Sequence, residues 1–323
     1  MSLGTTPGLV RSDEAFAGLV RAAGATCEVV RVTIGRSGAL RRHISVTDLV
    51  EALAARRSAR GIDAAATVYS TVTAAFFQRP RTPYAVRFDA TAALNRPAGW
   101  QRIVERRALN RAALLLPLTE AAAVPHQRSV VLPIPIEPIE GAPERDIDAV
   151  AYAGYPRKRG LELLCAAWAA AAPADARLVV GGLDRAKALR WLDRCGVPEP
   201  RGVEWAGALP RERWLELVAR ARLFLNASRW EDFGIAPLEA LSAGALLVTV
   251  PTPGPFAALP IARELDASLV ASETSVDALA DALRAGLRAE RGTYAQRANA
   301  TLDPFRPARL QEVVRATVLP ALL

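Results

Sequence analysis

The chain has 323 residues, 51% of them apolar, and a formal net charge of +8. This length exceeds one average domain and favours two α/β domains, each with its own core. Arginines interrupt every apolar stretch before it reaches the roughly 18 residues that a membrane-spanning helix needs. The first residues lack the basic region and apolar run of a secretory signal, so we predict a cytoplasmic protein.

The charge is carried almost entirely by arginine, because lysine occurs only at Lys158 and Lys187. Such a balance suits phosphate groups, nucleic acid or acidic lipid as partners. The three cysteines have no metal-ligand spacing and the two histidines, His43 and His126, are far apart, which argues against a structural zinc site. We expect no metal and no cofactor.

Strand-like runs alternate with helical runs in the first half, which is typical of parallel βαβ units. The predicted helices are Ser12–Ala23, Val46–Arg60 and Gln101–Asn110. The predicted strands are Cys27–Thr33, Ala64–Tyr69, Tyr84–Phe88, Leu114–Leu118 and Ser129–Pro133. Few residues precede the loop that we predict at Thr5–Gly8, so a strand before it is short or missing.

The segment Pro133–Asp146 is dense in proline and acidic residues, so it predicts a linker between domains at 1–140 and 146–304. A second α/β series follows it. Its predicted strands are Ala149–Ala153, Arg177–Val180, Val203–Trp205, Leu223–Asn226 and Leu246–Val250. Its predicted helices are Gly160–Ala172, Arg185–Cys195, Arg211–Ala221, Ile235–Ala243 and Val276–Arg288, with a last helix at about Pro307–Leu319. Two such domains predict a ligand cleft at the carboxyl ends of their strands.

The stretch from Leu223 to Gly244 carries the most chemistry. A buried strand enters a loop with Glu231, Asp232 and Gly234, and the helix that follows contains Glu239. Unpaired amides and the helix dipole at such a helix start favour a phosphate or sugar oxygen. The amides expected to face the ligand are those of Phe233, Gly234 and Ile235.

This passage resembles the signature of glycosyltransferase family 4 and related retaining transferases, in which two glutamates lie eight positions apart around a Phe-Gly pair. The resemblance implies a GT-B fold, with two Rossmann-like α/β domains whose parallel sheets face each other across a cleft. It also implies that Glu231 bonds the donor sugar and Glu239 the nucleotide ribose, tasks that suit a carboxylate because it accepts two hydroxyl hydrogens. Alternatively, Glu239 only favours the helix start and Asp232 caps the helix.

A second resemblance lies at Gly154 and the basic run Arg157, Lys158 and Arg159. In the family, an arginine and a lysine of this loop clamp the donor diphosphate. The loop is one residue shorter here, so which two of the three cations meet phosphate stays open. Three cations at a helix start repel one another, and an anionic ligand would relieve that cost. The alternative is a solvated basic loop.

Weaker resemblances follow in the family's order. Arg177–Gly182 is similar to a strand that ends in glycines, and Pro251–Pro255 occupies the place of a glycine-rich turn facing the ligand. Near Gly207 and Leu209, family members hold the nucleobase. The segment 305–323 is expected to pack back on the N-terminal domain, as in relatives.

The N-terminal half resembles the family in architecture more than in motifs. A predicted loop from Thr6 to Ser12 stands where relatives contact the diphosphate, which makes Gly8 and Arg11 candidates. Relatives place a histidine near the reacting sugar after the strand Tyr84–Phe88. This chain has Arg87 and Asp89 there, which makes both candidates for the acceptor side, although Asp89 could simply cap a turn.

The segment Arg36–Arg60 combines basic and apolar residues. Its basic residues are Arg41, Arg42, Arg56, Arg57 and Arg60, and its apolar ones include Ile44, Val46, Leu49, Val50 and Leu53. A helix of this kind could lie on anionic lipid at the inner face of the membrane, or it could be an ordinary packed helix with a solvated face.

The resemblance as a whole implies a hexosyltransferase-like enzyme of carbohydrate biosynthesis that transfers a sugar with retention from a nucleotide-diphosphate sugar to an acceptor hydroxyl. The acceptor is expected to be a sugar, a lipid-linked molecule or a small molecule. The predicted catalytic residues are Glu231, Arg157 and Lys158. The two cations would stabilise the departing diphosphate without a metal. The alternatives are a nucleotide-sugar epimerase, a phosphorylase and an inactive nucleotide-sugar-binding subunit. No motif or stacking-aromatic pattern supports a nucleic-acid binder.

Overall fold

A computed structural model describes residues 1–4, 6–34, 44–96, 99–124, 128–140 and 144–323. The chain divides into two compact units. Unit 1 comprises Met1–Pro135 and Phe305–Leu323, and unit 2 comprises Ile136–Pro304. Several residues singled out in the sequence lie outside the described residues: Thr5, Arg36, Arg41, Arg42, His43, His126 and residues 141–143 of the predicted linker.

Unit 1 contains a parallel sheet of three strands in the order β1-β2-β3. The strands are β1 (Thr67–Tyr69), β2 (Tyr84–Phe88) and β3 (Leu114–Pro117). Every side chain of β2 and β3 is buried, as expected for parallel strands covered on both faces. The predicted strand Ser129–Pro133 runs beside β3, but it forms only one isolated bridge, from Ser129 to Leu115.

The helices of unit 1 pack around this sheet. They are α1 (Pro7–Ala22), α2 (Ile44–Ser58), α3 (Val72–Ala75), α4 (Ala92–Asn95) and α5 (Trp100–Arg111), with a 3-10 turn at Glu120–Ala122. The last segment adds α14 (Pro307–Val313), a π-helical turn (Val314–Val318) and α15 (Leu319–Leu322). Its buried residues Leu310, Val314 and Val318 lie four apart on one face and share an apolar cluster with Phe16 of α1.

Two N-terminal predictions are wrong. The predicted loop Thr6–Ser12 is the start of α1, because the Thr6 hydroxyl accepts the Leu9 amide at 3.3 Å and Pro7 occupies the first turn. The predicted strand Cys27–Thr33 forms only an isolated bridge between Arg31 and Ser2.

Unit 2 contains a parallel sheet of five strands in the order β6-β5-β4-β7-β8. The strands are β4 (Ile147–Tyr152), β5 (Leu178–Gly181), β6 (Val203–Gly207), β7 (Ala221–Asn226) and β8 (Leu246–Thr249). The order reverses between β4 and β7, so the loops that leave these two strands emerge side by side. Open α/β sheets bind ligands at such a switch point.

The helices of unit 2 connect these strands and continue to its end. They are α6 (Pro156–Arg159), α7 (Leu161–Ala171), α8 (Arg185–Cys195), α9 (Arg211–Arg220), α10 (Ile235–Ser242), α11 (Ala258–Leu265), α12 (Val276–Arg288) and α13 (Tyr294–Thr301), with 3-10 turns at Ala267–Leu269 and Asp303–Phe305. In the described part of the chain, no helix is long and apolar enough to cross a membrane. The two parallel sheets confirm the predicted α/β fold class.

Candidate functional site

The basic run after β4 lies directly against the loop after β7. Gly160 ends α6 with a φ of +58°, and a Cβ on it would lie 2.1 Å from the Ala227 carbonyl oxygen. Only glycine permits that approach without backbone movement. The Arg229 amide also donates to the Lys158 carbonyl at 2.9 Å. These contacts bring the predicted diphosphate clamp next to Glu231.

Glu231 sits in a buried polar network and is only 2% exposed. Arg159 forms an ion pair with its Oε1 atom. The Ser228 hydroxyl lies 2.9 Å from the same oxygen and 2.7 Å from Asn226 Oδ1. Asn226 donates in turn to the hydroxyl of Thr249 at 3.0 Å. A cation and a hydroxyl therefore hold the carboxylate in one orientation.

The three cations of the basic run have different surroundings. They form the short helix α6 instead of the predicted loop, and they directly precede Gly160, the N-cap of α7. Arg159 meets Glu231, and burial lowers its pKa. Lys158 Nζ donates to Asp232 Oδ2 at 2.7 Å. Arg157 is exposed and has no ion-pair partner among the described residues.

Glu239 is the second buried carboxylate of unit 2 and is also 2% exposed. It lies in α10, where Arg211 pairs with its Oε1 atom and Trp214 Nε1 donates to its Oε2 atom at 3.2 Å. The helix starts at Gly234, which has a φ of +84° and no side-chain cap. The alternative that Asp232 caps α10 is therefore not seen.

Gly254 brings a further turn of backbone close to Glu231. A Cβ on Gly254 would lie 2.2 Å from the Glu231 carbonyl oxygen, and the Glu231 amide donates to Pro253 at 3.1 Å. The predicted ligand-facing turn thus packs on the Glu231 loop. Gly154 follows β4, where its Cβ would meet the Tyr152 hydroxyl at 2.7 Å. Gly207 ends β6 and the half-buried Leu209 follows it before α9.

The candidates in unit 1 have separate surroundings. Gly8 lies in the first turn of α1, and Arg11 lies one turn later. Arg87 is 2% exposed, and its guanidinium donates to the Ser12 hydroxyl at 2.6 Å. Burial lowers the pKa of Arg87 to about 10. Because this guanidinium turns onto α1, a contact with an acceptor stays a prediction, as it does for the half-buried Asp89.

The structure adds to the site several residues that the sequence did not single out. They are Asn226, Ser228, Thr249 and Thr252 in the Glu231 network, and Arg211 and Trp214 beside Glu239. The polar residues after β7 carried a usable signal, because they follow a buried strand at its carboxyl end. Within the described ranges, no group of three or more His, Cys, Asp and Glu side chains could hold a metal ion.

Comparisons with known proteins bear on the family and the fold. Residues 147–288 match the family model of glycosyl transferases group 1. No curated protein matches the sequence.

Several solved structures share the fold. WaaG, a glycosyltransferase involved in lipopolysaccharide biosynthesis, has a TM-score of 0.65 at 16% identity, with 96% of each chain covered. Sucrose-phosphate synthase from Thermosynechococcus elongatus has a TM-score of 0.59 at 16% identity, with 87% of this chain and 80% of that chain covered. The pneumococcal O-GlcNAc transferase GtfA, in complex with UDP and GlcNAc, has a TM-score of 0.52 at 14% identity, with 75% of this chain and 53% of that chain covered.

The match covers the segment with both buried glutamates and the basic run, and the structural likenesses extend the fold to both units. The chain therefore has the GT-B fold of these solved structures, and its residues 147–288 are similar to glycosyl transferases group 1.

Proposed function

We propose that this protein is a retaining glycosyltransferase that moves a sugar from a nucleotide-diphosphate sugar to an acceptor hydroxyl without a divalent metal. One observation carries the proposal. Two buried carboxylates, Glu231 and Glu239, lie on the segment from β7 to α10; Arg159 pairs with the first of them, and the neighbouring Lys158 pairs with Asp232. Anionic and polyhydroxylated parts of one ligand would thus find complementary groups in one unit.

The ion pairs support a division of roles at the donor. A bound diphosphate would compete with Glu231 for Arg159 and with Asp232 for Lys158. A carboxylate oxygen that loses its cation in this way can instead accept a hydrogen bond from a sugar hydroxyl. Arg157 is exposed and has no ion pair with a described residue, so it could meet phosphate without breaking an existing one.

Electrostatic stabilisation of the departing diphosphate would be the largest contribution of the protein to catalysis. Cations and backbone amides aimed at the developing charge act strongly where water is excluded. The resemblance implies that the diphosphate also accepts the acceptor proton on the same face of the sugar. No protein base is then required, and the configuration at the anomeric carbon is retained.

Nucleoside diphosphates test the donor half of this proposal. One ribonucleoside diphosphate should raise the melting temperature more than the others, because a ligand at about 100 times its Kd adds roughly 2.7 kcal/mol of stability. Free phosphate and single-stranded DNA serve as control ligands. No stabilisation by any nucleoside diphosphate would contradict the proposal.

Product analysis separates the alternative activities. An epimerase would change the donor sugar without an acceptor, and a phosphorylase would depend on free phosphate. An inactive binding subunit would bind the nucleotide and leave every donor intact. Transfer that requires an acceptor hydroxyl supports the glycosyltransferase.

We also propose that α2 contacts an anionic membrane, because its apolar and basic residues lie at the surface. Val46, Leu49 and Leu53 are 38%, 40% and 51% exposed. The acidic residues Asp48 and Glu51 of the same helix are buried instead. Arg56 and Arg57 are exposed near its end. In a membrane, the exposed apolar residues would contact the acyl chains and the two arginines would contact the acidic headgroups.

Co-sedimentation with phosphatidylglycerol vesicles tests this contact. Reversing both charges, in Arg56→Glu/Arg57→Glu, should weaken vesicle binding about tenfold or more, because each basic residue contributes about 1 kcal/mol near an anionic surface. Arg213→Glu/Arg309→Glu is the charge-matched control, because both arginines are exposed and belong to surface ion pairs elsewhere. Equal binding by both double variants would contradict the contact.

A further inference from the structure

Two side chains of α9 hold the Glu239 carboxylate. Arg211 pairs with Oε1, and Trp214 donates its Nε1 hydrogen to Oε2 at 3.2 Å. Arg211 and Trp214 are three residues apart, so they lie on one face of the helix. Each oxygen therefore has its own donor, and the plane of the carboxylate is set from α9.

The tryptophan ring is itself fixed. It packs edge-on against Tyr152, with ring centroids 5.5 Å apart, and against Phe224, with centroids 6.4 Å apart. A Cβ on Gly181 would lie 2.8 Å from the ring, so the end of β5 closes around it. Its N–H group is thus presented to Glu239 from a rigid position.

We infer that Arg211 and Trp214 are positioning residues that aim Glu239 at the ribose of the nucleotide and so determine the preference for ribonucleotides. This inference rests on the proposed role of Glu239 as the ribose-binding residue. Because the two α9 donors meet different oxygens, they fix the direction in which the carboxylate presents its acceptors.

The test compares dissociation constants for a nucleoside diphosphate and its 2′-deoxy counterpart with the same base, such as UDP with dUDP or GDP with dGDP. Calorimetric titration should give a preference of about tenfold or more for the ribonucleotide in the unmodified protein, because a hydrogen bond to a charged group is lost in the deoxy ligand. The ratio of the two affinities should fall close to one in Arg211→Met and Trp214→Phe, while affinity for the deoxy ligand, which keeps its 3′ hydroxyl, falls less than affinity for the ribonucleotide. Phenylalanine keeps the ring contacts and removes only the N–H group.

Two further variants sharpen the result. Arg211→Lys should restore part of the preference. Arg213→Met, on the same helix with a side chain 69% exposed, should keep all of it.

The outcomes are distinguishable from failure of the proposed function. If Glu239→Ala abolishes the preference but Arg211→Met and Trp214→Phe keep it, the inference is wrong and the proposed function stands. Equal losses of affinity for both ligands in the α9 variants would indicate a merely structural role and also overturn it. If Glu239→Ala keeps the preference, the ribose-binding role of Glu239 itself is wrong.

Discussion

Replacing Glu239 by alanine is expected to weaken nucleoside diphosphate binding about ten- to 150-fold, whereas Glu231→Ala should spare this affinity and cripple sugar transfer. The first range corresponds to the loss of about 1.5–3 kcal/mol of hydrogen bonding to a charged group. The two carboxylates would serve different parts of one donor, the ribose and the sugar. Titration with the bare nucleotide and donor turnover measure the two effects separately.

Each alanine variant leaves a cation without its partner, because Arg211 pairs with Glu239 and Arg159 with Glu231. Glu239→Gln and Glu231→Gln are therefore the matched controls, since glutamine keeps the volume and one accepting oxygen. Circular dichroism would show whether each variant folds. Identical losses of bare nucleotide affinity at the two positions would contradict the division of roles.

Lys158→Met, alone or with Arg157→Met, is expected to lower kcat/KM for the donor about ten- to 150-fold. The loss of one charged donor forfeits about 1.5–3 kcal/mol at the diphosphate. Loss of the exposed Arg157 should disturb the protein less, because Lys158 also pairs with Asp232. Melting temperatures would separate this structural effect from the loss of turnover.

Lys187→Met is the control for this series. Lys187 is the only other lysine of the chain, and its exposed side chain pairs with Asp184 on α8. An exposed ion pair of this kind contributes about 0–1 kcal/mol, so neither turnover nor stability should change much. Full activity of the Arg157→Met/Lys158→Met variant would exclude both residues from the proposed clamp.

Most of unit 2 could be predicted from sequence because its signals are local. The buried strands β5 and β8 require continuous apolar runs, which the sequence shows. Helix α8 has Asp184 as its N-cap and Gly196, in the left-handed region, after its last residue. Cap residues of this kind mark both ends of a helix in the sequence.

In unit 1 the local signals and the predictions differ. Thr6 and Pro7 are a typical helix start, but the resemblance to a family loop predicts a loop there. Cys27–Thr33 has a strand-like composition, yet a strand depends on a partner of sufficient length. Helix α2 buries Asp48 and Glu51 and exposes Leu49 and Leu53, an arrangement that polarity alone does not predict.

The partners of the two glutamates depend on tertiary packing. Glu231 and Glu239 were found by their spacing, but Arg159 reaches Glu231 only because Gly160 packs on Ala227. Arg211 and Trp214 contact Glu239 because α9 packs on α10. The spacing of residues in the sequence does not specify this contact. Long-range ion pairs of this kind require the fold first.

The central claim is tested most directly by donor turnover in excess EDTA. Proton NMR of the anomeric hydrogen measures both the rate of turnover and the configuration of the product. The donor should be the sugar form of the nucleoside diphosphate that stabilises the unmodified protein most, with water or added methanol as a simple acceptor. The account predicts undiminished turnover and a first product with the donor's own anomeric configuration, because cationic side chains replace a metal at the leaving group. Activity abolished by EDTA and restored by magnesium, or a product of inverted configuration, would contradict it.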